Sequence, residues 1–187
     1  MWLDILATAS CSRGSFLEVN HTHVLESGAT NLQHICGCDN WIVAVLYNIS
    51  MLNIWKKQVE AQQTLSVMQL GTRGATIQRS LSDHFSHIEA SFITKCIGTQ
   101  DLTVCRDISK TVTLVYAHAA VVYLHVVVSG PHPHLPEIRT GVTELIESIK
   151  ALAREMELSR MSWPLCVAAC FATDEELKVL HVLIGDC

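Results

Sequence analysis

Apolar residues recur along this chain at helical rather than strand spacing. Trp41, Val45, Leu46, Ile49, Leu52 and Trp55 fall on one face of a helix that opens at Asp39 as its N-cap. Lys56 and Lys57 sit near its end, where cations suit the helix dipole. Residues 64–70 read as a short helical piece stopped at Gly71. Gly74 then precedes a helix over 75–92 that carries Ile77, Leu81, Phe85 and Ile88. The next helix runs over 108–129 and ends at Gly130-Pro131. Residues 132–136 read as extended, because a residue before proline avoids the α region. Pro136 opens another helix, on which Ile138, Val142, Leu145, Ile146, Ile149 and Leu152 make one stripe. Ser162 is expected to cap a short helix with Trp163 and Pro164 in its first turn. Thr173-Asp174-Glu175-Glu176 is a capping box for a last helix. Residues 121–128 are valine-rich enough for a strand, but their unbroken continuation from Ile108 favours helix. The fold class expected is all-α, a multi-helix globular array around long buried apolar helices. Residues 1–38, rich in Ser, Thr, Gly and His, form a lead-in whose elements the pattern leaves undefined.

Composition narrows the functional classes. The 187 residues are 49% hydrophobic and 17% charged, which excludes a disordered charged tail. Thirteen Lys and Arg against 18 Asp and Glu leave a formal charge of −5, and the longest basic run is Lys56-Lys57. A domain that grips nucleic acid by itself needs a basic stripe to neutralise phosphates. Direct DNA contact is therefore not expected. The N-terminus has no positive n-region, and eight Cys without a secretory signal read as reduced, buried thiols in a cytosolic or nuclear protein. Residues 111–136 contain no Asp, Glu, Lys or Arg, and 112–129 would span a bilayer by length. A small membrane-anchored helical protein is thus an alternative reading. Several moderately long apolar helices in one chain fit a buried core better.

Candidate chemistry is sparse. His21, His23, His34, Cys36 and Cys38 cluster, but Cys36-Gly37-Cys38 is too tight for a zinc knuckle, and no metal site is expected. His84 and His87 read as a solvated helix face. Gly71-Thr72-Arg73-Gly74 lacks the Lys-Ser/Thr of a phosphate loop, and Ser82-Asp83-His84 are sequence neighbours that point apart on a helix. No enzyme and no cofactor is expected. A pocket for a small effector is expected among His118, Tyr123, His125, Cys166 and Cys170, the polar groups on otherwise apolar helices. His118 and His125, seven apart, share a helical face.

The stretch Ser159-Arg160-Met161-Ser162-Trp163-Pro164-Leu165-Cys166-Val167-Ala168-Ala169-Cys170-Phe171-Ala172 resembles the C-terminal regulatory domain of fungal binuclear zinc-cluster transcription factors. Asp174-Glu175-Glu176 fits that domain's acidic turn. The segments around Tyr116 to His118 and Tyr123 to Gly130 are similar to its long apolar helix, and Pro136-Glu137-Ile138 to the start of the next. Trp41 and Trp55 resemble marks of an earlier helix. The signature is thus Trp41, Trp55, Gly130, Pro136, Trp163 and Pro164. The likeness covers nearly the whole chain and is strongest over 101–172. Ala169 stands where the family usually has Gly. The six-cysteine zinc cluster is missing, as is the helical continuation usual after the Trp-Pro helix. The expectation is a single partial domain: a fragment, a shortened gene product or a non-functional paralogue. The resemblance implies a nuclear module that modulates RNA polymerase II transcription through a protein partner or small-molecule effector, with metabolic genes as candidate targets. Without the resemblance, a cytoplasmic location would be expected.

Overall fold

A computed structural model describes residues 5, 9, 33, 37–98, 108–153, 158 and 161–185, the side chains of 89–98 excepted. All regular structure among these residues is helical. The elements are α1 (Asn40–Ala61), α2 (Val67–Gly98), α3 (Ile108–Ser129), α4 (Pro136–Ala153), α5 (Ser162–Phe171) and α6 (Asp174–Gly185). The all-α expectation holds. His21, His23, His34 and Cys36 lie outside the described residues, as does most of the lead-in, whereas Cys38 is buried.

Helix α3 is the axis of the array. It packs against α1, α2, α4 and α5, while α6 docks on α4 and α5. Beyond Lys110, α3 carries no Asp, Glu, Lys or Arg, which explains this position, since each exposed face of so apolar a helix would leave hydrocarbon in water. Val112, Val115, Tyr116, Ala119, Val122 and Leu124 are all buried. Among the described residues α3 alone is long and apolar enough to cross a membrane. Ten of its 22 side chains are buried within the protein, as in a core helix. The α4 stripe is buried from Ile138 through Leu152, with its polar residues outward.

Polar contacts seat α1 on α3. Asp39 occupies the N-cap with extended dihedrals, although its side chain makes no cap hydrogen bond. Its backbone N–H instead donates to Thr113 Oγ1 at 3.0 Å, and Ser109 Oγ donates to the Gly37 carbonyl at 3.0 Å. Lys56 does not serve its own helix end, because α1 continues to Ala61. Its Nζ donates to the Val127 carbonyl at 2.8 Å, satisfying an acceptor in the last turn of α3 that no intrahelical N–H reaches.

Three local expectations are corrected. First, α2 runs through Gly71 and Gly74 without a break. A Cβ at Gly74 would lie 2.7 Å from Val128 Cγ2, so the missing side chain lets α2 approach α3 closely. Packing there outweighs the helix-breaking tendency of glycine. Second, α5 has Met161, not Ser162, at its N-cap position, with no side-chain cap; Pro164 still falls in the first turn. Third, residues 132–135 form a tight turn, closed by the Leu135 N–H donating to the His132 carbonyl at 3.1 Å. Pro133 takes the turn's second position, which its fixed φ suits. Gly130 ends α3 at φ +92°, in keeping with its place before Pro131.

Gly71 and Gly74 make a paired prediction. Gly74→Val forces an overpacked contact with Val128 and is expected to lower stability by about 1–3 kcal/mol. At Gly71 nothing lies within 4 Å of the position a Cβ would take, so Gly71→Ala is expected to gain up to about 1 kcal/mol. Thermal melts followed by circular dichroism should separate the two in opposite directions.

Candidate functional site

The polar residues singled out on the apolar helices are not brought into one pocket. On α3, His118 and His125 face α2 and α4. The His118 ring lies 5.0 Å from Phe85 of α2, and its Nδ1 is 3.6 Å from Glu144 Oε2 of α4. Tyr123, only two residues from His125, turns to α1 and α5. Its hydroxyl accepts a 3.4 Å hydrogen bond from Asn53 Nδ2, and its ring meets Trp163 edge-on at 6.1 Å. Cys166 and Cys170 lie on the outer surface of α5. Burial pushes the Tyr123 hydroxyl above its ordinary pKa, against its hydrogen bonds from Asn53 and Ser50.

Burial also holds three histidines below their ordinary pKa. The opposing pull comes from Glu144 at His118 and from Glu137 at His125; at His84, Asp83 opposes while His87 adds to the lowering. His84 stacks on Trp41 at 4.2 Å and 13°, so it supports the α1–α2 contact. Among the described residues no group of three His, Cys, Asp or Glu converges as metal ligands. The lowered histidines make stability depend on pH. An unfolded histidine titrates near about 6.5. Below that, the unfolded chain binds protons that the folded chain resists, so stability falls as pH drops from there through the lowered folded values. Urea midpoints at pH 7.5 and 5.5 should show this loss, and His118→Gln should shrink it. An unchanged loss in that variant would remove His118 from the account.

Among the described residues an open trough lies between α1 and α2 and continues along α2. One part, about 390 Å³, is lined by Asn48, Met51, Leu52, Trp55, Arg73, Thr76 and Ile77. A second part, about 360 Å³, is lined by Met68, Gln69, Thr72 and Arg73. Arg73 joins them, its guanidinium 4.1 Å over the Trp55 ring. In the sequence Trp55 reads as a helix mark and Arg73 as part of a failed phosphate loop. Their pairing across a helical hairpin carries no sequence signal. Met51, midway along α1, and Val67 and Met68, at the start of α2, are 40%, 78% and 80% exposed, unusual for large apolar side chains.

A second polar constellation locks the C-terminal helices. The capping box forms as expected: the Thr173 N–H donates to Glu176 Oε2 at 2.7 Å, and the Glu176 N–H donates to Thr173 Oγ1 at 3.3 Å. Arg139 of α4 then donates from one nitrogen to both Glu176 oxygens at 2.8 Å, and from the other to the Phe171 carbonyl at 2.6 Å. One guanidinium thus binds the C-terminus of α5 and the N-terminus of α6.

The described residues thus form an all-α array whose polar groups join helices to one another and whose surface leaves an apolar trough open to solvent. The fungal specific transcription factor domain matches residues 1–182, and the chain belongs to that family. Transcription factor dibT of Pestalotiopsis microspora is 24% identical over 202 residues, covering 99% of this chain and 32% of that protein. Trichothecene biosynthesis transcription regulator TRI10 of Fusarium sporotrichioides is 28% identical over 156 residues, covering 83% and 34%. The ustiloxin B cluster transcription factor ustR of Aspergillus flavus is 27% identical over 153 residues, covering 81% and 26%. The chain therefore spans about a third or less of the length of these relatives. No solved structure matches. The relatives are transcription regulators, not enzymes.

Proposed function

We propose that this chain is a regulatory module of fungal transcription. It is non-enzymatic, acts in the nucleus, and sets RNA polymerase II transcription of a biosynthetic gene set by binding a protein partner or a small-molecule effector. The observation that carries this reading is the family match over residues 1–182. Two relatives whose names specify trichothecene biosynthesis and the ustiloxin B cluster suggest the kind of gene set. Within residues 1–187 the longest basic run is two lysines, so this part of a regulator recognises protein or small molecule rather than the duplex. No cofactor is invoked. Mechanistically, α3 and the helices on it form a scaffold whose conformational balance a bound partner biases.

Deleting the coding sequence in its fungus and sequencing the RNA tests the proposal. A group of biosynthetic transcripts should change together while housekeeping transcripts hold, and a fluorescent fusion of the chain should gather in the nucleus. An unchanged transcriptome under conditions that induce biosynthesis would sink it.

A further inference from the structure

The trough between α1 and α2 has a shape, an apolar floor and a charge that together select an occupant. Its two parts are neighbours, with Arg73 lining both. From Met68 to Ile77 it follows α2 over nine residue steps, or about 14 Å at 1.5 Å per residue. That length accommodates roughly three turns of a helix lying alongside, the span over which i, i+4 and i+7 anchors dock. The floor and rim carry Met51, Trp55 and Met68. Methionine adapts to varied apolar partners, and Met68 is 80% exposed in the chain by itself.

Charge settles the sign of the partner. Among the described residues the trough is lined by Arg73 and by no Asp or Glu. Residues 67–82 of α2 hold Arg73 and Arg79 and no acidic residue, in a chain whose net charge is −5. The N-terminus of α2, the positive end of its dipole, opens beside Met68 with no acidic residue in its first turn. The stacking of Arg73 on Trp55 fixes the cation in place while leaving its charge to be met.

We propose that the trough between α1 and α2 docks an acidic amphipathic helix of a partner protein. Its apolar face lies on Met51, Trp55 and Met68, and one of its carboxylates meets the Arg73 guanidinium. The proposal rests on the regulatory reading above and names the partner chemistry for it.

The test uses the full 187-residue chain. A labelled synthetic helix of about 20 residues, with leucines at i, i+4 and i+7 and acidic residues elsewhere, is titrated by fluorescence anisotropy. A matched peptide carries lysine in place of every acidic residue. The acidic helix should bind, its affinity falling with added salt, and the lysine helix should bind about tenfold or more weakly. Met68→Asp and Arg73→Glu should each weaken the acidic helix by about tenfold. Circular dichroism confirms folding, and the exposure of Met68 keeps that variant clear of the core. Absence of binding, equal binding of the lysine helix, or indifference to both variants overturns the proposal. So does a dimer in sedimentation that Met68→Asp abolishes, which gives the trough to a second copy, or duplex DNA binding lost in Arg73→Glu. Peptide binding with an unchanged transcriptome rejects the regulatory reading and keeps the trough. Altered transcripts without peptide binding do the reverse.

Discussion

Trp163→Ala is expected to cost about 3–5 kcal/mol of folding free energy, the range for emptying a large aromatic site. The side chain is 9% exposed and joins α5 to the central helix. Its ring lies parallel to Tyr116 at 6.2 Å and edge-on to Tyr123 at 6.1 Å. Such aromatic pairs add about 0.5–1.5 kcal/mol each beyond the area they bury. Set against a typical total of about 5–15 kcal/mol, the loss should unfold a sizeable fraction of the chain. Trp163→Phe keeps a ring in the site and should lose less than half as much. Urea midpoints decide the matter, with near-ultraviolet circular dichroism reporting the aromatic packing. A loss under about 1 kcal/mol would mean that α5 is held elsewhere.

The Trp163 site also shows what is legible in the sequence. Trp163-Pro164 marks a helix start and a large anchor, and both are found, because propensity and burial act locally. The α4 stripe from Ile138 to Leu152 is readable for the same reason. A break at Gly71 is what the local rule expects, and the rule fails there. Gly74 is there for contact with Val128, 54 residues away, and no local window contains that partner. The effector pocket fails similarly. Seven-residue spacing correctly puts His118 and His125 on one face, but two residues' difference turns Tyr123 to another. Cys166 and Cys170 face outward, although their four-residue spacing does place them together. Trp55 with Arg73, and Arg139 with Glu176, are pairings between helices, which periodicity does not encode.

The Arg139 pairing carries the second large effect. Arg139→Met removes every donor to Glu176 from α4 and leaves the Phe171 carbonyl without that partner. Hydrogen bonds to charged groups contribute about 1.5–3 kcal/mol, and partial exposure of both side chains, 28% and 22%, places the expected loss toward the middle of that range. The signature is in the pH dependence. At Glu176, burial tends to raise the pKa, but hydrogen bonds from Thr173 and the bonds and charge of Arg139 outweigh it and hold the carboxyl below its ordinary value. The folded chain then resists protonation where the unfolded chain accepts it. This stability is fully present above the ordinary carboxylate range and is lost as pH falls through the lowered value. In Arg139→Met that acid-side loss should shrink, because the carboxyl now titrates nearer its unfolded pKa. Glu176→Gln should shrink it as well, and the double variant should cost less than the sum of the singles, as coupled partners do. Strict additivity in a double-mutant cycle of urea midpoints at pH 7 would show that Arg139 and Glu176 act separately. Helix α6 would then be held on α4 without that pair, while the Arg139 bond to the Phe171 carbonyl still serves α5.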